Sequence, residues 1–220
     1  MTENPVTQSV QAEQMFCAVV SLLAEKHIVL SEEEVDALQS AVVTNAISIA
    51  SDNPEFGTDE TSGAYLNYCS FLLALYRCLD AHLEDRLVKI EILKSAMAQL
   101  FGQGIQEFIK GRFDVDHEHP DQAFEQMSRN FKSRGEQYFG SHFTYDETWN
   151  GANEVTFGVS KCLFKNFFQK NNTPELTPLF CAMDSIWSQE LNTGKYNVRF
   201  DRPSIMSLGD DKCRFRFRKD

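Results

Sequence analysis

The hydrophobic pattern of this 220-residue chain changes period once, close to residue 140, and that change dictates the fold class. Upstream, apolar residues recur at three- and four-residue steps, which places them on one side of an α-helix. Downstream, from Phe143, aromatic and β-branched residues alternate with polar ones, as in a strand buried on one face. A chain built this way has helices first and a sheet last. It lacks the regular strand–helix alternation of a doubly wound parallel sheet.

The helical part divides at recognisable caps and loops. Residues 9–26 carry Met15, Phe16, Val19, Val20, Leu22 and Leu23 on one apolar side. Ser31-Glu-Glu-Glu34 is a capping box opening a helix with Val35, Leu38, Val42 and Val43, which continues to about Ala50. After the loop 52–57, a helix over 62–81 repeats Leu66, Cys69, Leu72, Leu73 and Tyr76. Cys69 and Cys78 fit its buried stripe, and with Cys17 they read as packing thiols. Residues 84–108 form a further helical stretch with Leu87, Ile90, Ile92, Leu93, Met97 and Leu100 on its apolar face, weakened by Gly102 and Gly104. Asp114 to Asp121 contains His117, His119 and several carboxylates, but the spacing matches no closed zinc pattern. Pro120 and Asp121 suit the start of a helix over 123–135.

Two antiparallel strand pairs follow. One spans 142–149 and 154–161 around Asn150-Gly151, a hairpin signal. The other spans 197–207 and 212–219, with Pro203 marking a bulge or an edge. The expected fold is α+β: an N-terminal helical region, residues 1–136, packed against a C-terminal antiparallel sheet of about four strands with two inserted helices, residues 137–220.

A net charge of −11 argues against nonspecific binding to nucleic acid or to an anionic membrane. The local exception is Arg214, Arg216, Arg218 and Lys219, whose arginines share the strand face opposite Phe215 and Phe217. That face reads as solvated, or more sharply as an anion contact. Eighteen phenylalanines point to an aromatic core and, as an alternative, an aromatic-lined pocket. No run of about 18 apolar residues offers a membrane span, and Met1-Thr-Glu-Asn-Pro has no signal-peptide character. The six cysteines are therefore read as reduced thiols in the cytoplasm. There is no phosphate-binding glycine loop, Gly-x-Ser-x-Gly elbow, Cys-x-x-Cys or His-Glu-x-x-His, so common hydrolase, nucleotide and zinc-protease classes are unsupported and no cofactor is expected.

Three cysteines stand at junctions between expected elements. Cys162 lies where a strand meets a helix, so the positive end of the helix dipole favours its thiolate. Cys181 and Asp184, three residues apart, share a helix face near a start marked by Pro178. Cys213 follows a Gly-Asp-Asp turn and opens the last strand. The residues alone leave three readings: a nucleophilic thiol with Asp184 or a histidine moving the proton, a metal on three thiolates, or three buried packing thiols.

The order Val-Ser-Lys-Cys162, Pro-Leu-Phe-Cys181-Ala-Met-Asp184 and Gly209-Asp-Asp-Lys-Cys213-Arg-Phe-Arg-Phe217 resembles the L-2-amino-thiazoline-4-carboxylic acid hydrolase family over the last 65 to 75 residues. The resemblance makes Cys162, Cys181, Asp184, Gly209, Asp210 and Cys213 the family positions. The residue after the last cysteine, usually acidic in that family, is Arg214 here. It implies hydrolytic opening of a small cyclic amidine-like, thiazoline-type carboxylate. Cys162 or Cys213 would attack the ring carbon, Asp184 or His142 would handle the proton, and Arg199 or Arg202 would hold the carboxylate. The competing expectation is a non-catalytic binding protein for a small hydrophobic or aromatic ligand. Either way the partner is a small molecule, with homo-oligomerisation left open.

Overall fold

The computed structural model describes residues 5–115 and 118–220 and divides the chain into two compact units, residues 1–100 and 101–220. Asp116 and His117, two of the six side chains of the histidine-carboxylate metal candidate, lie outside the described residues. Among the described residues there are eight α-helices and a four-stranded antiparallel sheet, helices first and sheet last, as the change of period requires. None of the helices is long and apolar enough to cross a membrane.

The first unit is helical: α1 (Pro5–Glu25), α2 (Glu32–Ser51), α3 (Glu60–Cys78) and most of α4 (Arg86–Gln103). On α1 the expected stripe is buried, with Met15, Val19 and Leu23 fully so. Cys17 turns to the other side of α1 and is exposed, which corrects its reading as a packing thiol. Cys69 is buried, and Cys78 is half-buried with its sulfur accepting from Asn45 Nδ2 at 3.2 Å. The capping box at α2 forms in both directions: Glu34 N donates to Ser31 Oγ at 3.3 Å and Ser31 N to the Glu34 carboxylate at 2.8 Å. The apolar stripes are narrower than the pattern suggests. Val43 on α2 and Leu87 on α4 are exposed, because the buried side of α2 runs through Leu38, Val42 and Ile49 and that of α4 through Ile92, Leu93 and Met97.

The second unit layers helices on one face of a sheet. A break at Gly104 ends α4 and starts α5 (Ile105–Phe113); α6 (Ala123–Phe139) follows. The strands are β1 (Thr144–Trp149), β2 (Glu154–Lys161), β3 (Val198–Ser204) and β4 (Cys213–Lys219), in the spatial order β1-β2-β4-β3. The inserted helices α7 (Leu163–Lys170) and α8 (Thr177–Leu191) connect β2 to β3. In the register, Tyr145 faces Val159 and Val159 faces Cys213, so these three side chains share one inward row.

That inner face is aromatic. Phe131 of α6 stacks on Phe157 at 4.6 Å between centroids and meets Phe215 and Phe217 at 5.3 and 5.2 Å. Trp187 of α8 tilts against Phe200 at 4.5 Å. On the opposite face the arginines are tied to neighbouring carboxylates. Arg216 holds Asp201 across the strand pair through two contacts of 2.8 and 2.5 Å, and Arg214 holds Asp211 at 3.0 and 3.2 Å. Gly158 on this face lets Asp146 lie across the strand, since a Cβ there would sit 2.8 Å from the Asp146 carboxyl carbon.

Candidate active site

The loop from β3 to β4 is built by the residues that the sequence pattern singled out. Met206–Leu208 makes one tight turn and ends at Gly209, whose φ of +106° is a backbone state that residues with a Cβ rarely adopt. The Asp210 carboxylate accepts the Ile205 amide at 2.7 Å, and Ser204 Oγ donates to the Lys212 carbonyl at 2.8 Å. Closed in this way, the loop directs the Met206 amide to Cys213 Sγ at 3.3 Å and sets Ser207 Oγ 3.3 Å from Cys181 Sγ. Gly209 and Asp210 therefore shape the turn, and its neighbours Met206 and Ser207 meet the sulfurs.

Arg202 joins the same groups from the strand side. It lies within the register shift between Asp201 and Ser204, beside Pro203, and its side chain is only 9% exposed. One guanidinium nitrogen, Nη1, pairs with Asp184 Oδ2 at 2.8 Å and donates to the Cys181 carbonyl at 3.1 Å. The other, Nη2, reaches Cys213 Sγ at 3.6 Å, and the guanidinium lies 4.7 Å over the Phe215 ring. Its Nε is buried without a hydrogen-bond partner. Asp184 is fixed from the other side by Trp187 Nε1, which donates to Oδ1 at 2.9 Å. Burial pushes the Asp184 carboxyl above its ordinary range, opposed by Arg202, by the Trp187 hydrogen bond and by the more distant Arg112.

Arg112 is itself buried. It donates to the Phe131 carbonyl at 2.7 Å and lies 4.8 Å over the Phe131 ring. Gly135 makes room for it: a Cβ there would come within 2.8 Å of both the guanidinium and the Tyr145 ring.

The three cysteines differ in their surroundings. Cys162 is itself the N-cap of α7, in extended backbone and not within its first turn, and the thiolate expected there from the helix dipole is not favoured. Burial pushes its thiol up to about 12, and the amides of Lys165 and Phe164 offset this only in part, without a capping hydrogen bond of normal geometry. Burial also raises the Cys181 thiol, opposed by Ser207 and Arg202. Cys181 and Cys213 both act electrostatically on Cys162, and Cys213 acts on Cys181, so one region of the unit holds all three. Among the described residues, no three His, Cys, Asp or Glu side chains converge as metal ligands.

A cleft of about 350 Å³ opens beside this cluster. Its walls include Cys181 and Ser185 from α8, Phe200 and Arg202 from β3, and Ser207 and Leu208 from the loop. Cys162 and Cys213 are not among the lining residues, nor is Asp184. Two other expected contributors lie elsewhere. Arg199 is exposed on β3 and pairs with Asp220, and His142 sits half-buried in the turn before β1, outside the cleft lining. Arg214 is held by Asp211 and by Ser204 Oγ at 2.8 Å, and it does not line the cleft.

Sequence reasoning missed Ser207, Trp187 and Asn192. Asn192 ends α8 and exchanges two hydrogen bonds with the Phe200 backbone at 2.8 and 3.0 Å, which anchors one wall of the cleft to the other. Trp187 carried a usable signal, since it stands three residues after Asp184 on the same helix. Ser207 carried none beyond its place in the Gly-Asp-Asp loop.

Comparison with known proteins gives one family. The sequence matches the family described as L-2-amino-thiazoline-4-carboxylic acid hydrolase over residues 65–217, far upstream of the cysteine motifs on which the resemblance was based. No curated protein matches. Among solved structures the chain is similar to the Fe(II) unliganded H-NOX protein from K. algicida and to a point mutant of it. Both are 12% identical, with 94% of this chain and 95% of theirs covered, at TM-scores of 0.35 and 0.38.

Proposed function

Because the chain belongs to the L-2-amino-thiazoline-4-carboxylic acid hydrolase family, we propose that it is a cysteine-dependent hydrolase that opens a small cyclic amidine-like, thiazoline-type ring. The observation that carries this reading is the junction at the cleft. Cys181 Sγ stands in its wall against Ser207, while Arg202 ties Asp184, the Cys181 carbonyl and Cys213 Sγ together.

Cys181 is the thiol that a ligand in the cleft can reach, and we assign the attack on the ring carbon to it. Its proton passes through Ser207 Oγ, which lies within hydrogen-bonding distance, to the ring atom whose bond to the attacked carbon breaks, and the Arg202 guanidinium favours the thiolate. Asp184, outside the cleft lining, acts through Arg202, which it holds beside the thiol. Water then displaces the sulfur and restores the thiol. Cys213 and Cys162 are positioning residues in this scheme. Cys213 anchors Arg202 and the Met206 amide, and Cys162 stays a neutral thiol at physiological pH. Through Nη1 and Nη2 Arg202 is engaged by protein groups, which gives it a structural and electrostatic role beside the thiol.

The competing reading, a binding protein with an aromatic-lined pocket, loses its main support in the packing. Seven of the phenylalanines are buried in the core of the second unit, and Phe200 is the one aromatic residue lining the cleft. Replacing each thiol by serine and assaying a panel of 2-amino-thiazoline rings tests the assignment. Cys181→Ser should abolish ring opening, Cys213→Ser should weaken it about tenfold or more, and Cys162→Ser should have the smallest effect. Full activity in all three variants would remove covalent catalysis by a cysteine.

A further inference from the structure

We infer that Arg202 is the carboxylate receptor of the cleft: its Nε donates to an oxygen of a ring carboxylate, which turns the amidine carbon of that ring towards Cys181. The inference rests on the ring-opening reading and names the residue that selects the substrate.

The guanidinium is used unevenly. Nη1 serves Asp184 at 2.8 Å and the Cys181 carbonyl at 3.1 Å. Nε and Nη2 form the edge of the plane that meets a carboxylate side-on. On that edge Nε is buried without a hydrogen-bond partner, and Nη2 reaches Cys213 Sγ, a weak acceptor, at the long distance of 3.6 Å. The Arg202 side chain is 9% exposed, and a charged donor buried to this extent is costly to leave unpaired. A carboxylate supplies the acceptor that the protein withholds.

The way to that edge runs past the turn at 206–208. The Met206 amide donates to the same Cys213 sulfur at 3.3 Å, so the turn abuts the edge, and its residues Ser207 and Leu208 line the cleft together with Arg202. Leu208 is 75% exposed, so little packing opposes a shift of the turn that uncovers Nε.

The rest of the lining suits an anion held at this point. Arg202 is its one cation. Asp201, its one carboxylate, is answered by Arg216 through contacts of 2.8 and 2.5 Å and by Arg218 at 3.8 Å, which reduces its repulsion of an entering anion. Arg202 also bonds the carbonyl of the residue that carries the thiol, so the two places adjoin. In a 2-amino-thiazoline-4-carboxylate the ring nitrogen joins the amidine carbon to the carbon bearing the carboxylate. A carboxylate at Nε therefore leaves the amidine carbon close to Cys181. A ring without the carboxylate leaves Nε unpaired and is bound less well.

The test uses the full chain and two aromatic probes that keep the ring substituents and resist opening, 2-amino-thiazole-4-carboxylate and its carboxamide. Calorimetry should find the carboxylate bound about tenfold tighter or more. Arg202→Lys keeps a cation for Asp184 but has no Nε, and it should bring the two affinities within about threefold of each other. In the NMR spectrum of the wild-type chain, the Arg202 Nε–H resonance should move with the carboxylate and stay in place with the carboxamide, which decides the matter even where Arg202→Lys does not fold. Equal affinities in the wild type, binding of neither probe, a preference that survives Arg202→Lys, or an Nε–H resonance indifferent to the carboxylate overturns the inference. Mass spectrometry reads ring opening separately, on 2-amino-thiazoline with and without its carboxylate. Carboxylate-selective binding at Arg202 without ring opening keeps the inference and removes the hydrolase reading. Ring opening at equal rates for both rings does the reverse.

Discussion

The two units solve the same packing problem with different materials. The helical unit buries mainly aliphatic side chains, such as Leu23, Leu72, Leu73, Leu75 and Leu79, around few aromatics. The sheet unit buries Phe113, Phe131, Phe157, Phe217 and Trp187 in a network of ring contacts. The difference extends to charge. The sheet unit also holds Arg112 and Arg202 at or near full burial, with Asp184 partly exposed beside Arg202, and ring faces lie under both guanidiniums. Leucine offers a buried cation nothing, whereas the negative face of a phenylalanine stabilises it. An aromatic core can therefore carry a polar cluster at its margin, and here the candidate site lies at that margin. The helical unit has one buried cation of this kind: Lys89, paired with Asp80 and lying 4.6 Å over the Tyr76 ring.

Removing the central ring breaks the comparison most severely. Phe131 touches Phe113, Tyr145, Phe157, Phe215 and Phe217, and Arg112 donates to its carbonyl. Phe131→Ala should cost about 3–5 kcal/mol in urea denaturation, at the top of the range for a core truncation. It should also disturb the Arg112 environment, because the ring under that guanidinium is lost. Destabilisation of less than about 1 kcal/mol would mean that the aromatic network is loosely packed.

Asp184→Asn comes next. It removes the charge that offsets Arg202 while keeping the side-chain shape. Asp184 is 26% exposed, so the cost should fall below that of a fully buried pair, at about 2 kcal/mol. Ring opening should be lost to a greater extent than stability. Wild-type activity in this variant would remove the Asp184–Arg202 pair from the proposed chemistry.

These elements were not equally legible in the sequence. The caps at Ser31 and Asn150-Gly151, the change of period and the strand pairs could be read because each depends on neighbours within a few residues. The gathering of Cys162, Cys181, Cys213 and Asp184 depends on strand order. Only the placement of β4 between β2 and β3 sets Cys213 opposite Val159 and near the end of β2 that leads to Cys162. Arg199 and Arg202 looked equivalent in sequence. The register shift at Pro203 separates them, leaving Arg199 exposed on its strand and folding Arg202 into the site. Arg112 gave no local signal, since its partners are the rings and carbonyls of α6.

An alkaline titration sharpens the same contrast. The Cys162 thiol is raised by burial to about 12 from an ordinary value near 9, so the folded chain retains a proton that the unfolded chain releases. Its contribution to stability is complete below about pH 9 and is lost as pH rises towards 12. Burial raises the Tyr145 hydroxyl as well, so the fall should be steep. The urea midpoint should therefore drop above pH 9, and Cys162→Ala should flatten the first part of that drop. At neutral pH, alkylation should reach Cys181 before Cys162. The reverse order would contradict the burial assigned to Cys162.

The smallest expected effect belongs to the helical unit. Asp59 caps α3, accepting the Ser62 amide at 2.9 Å and the Ser62 hydroxyl in a second short contact. Ser62 is fully buried, so Asp59→Ala leaves its hydroxyl without this partner as well as uncapping the helix. The combined loss should be about 1–2 kcal/mol, and Asp59→Asn, which can still cap, should recover most of it. Neither substitution touches the cleft, so ring opening per folded molecule should stay within about twofold of wild type. A tenfold fall in activity with Asp59→Ala, recovered by Asp59→Asn, would show that the order of α3 contributes to the chemistry. The division of labour between an aliphatic helical unit and an aromatic one that carries the candidate site would then have to be abandoned.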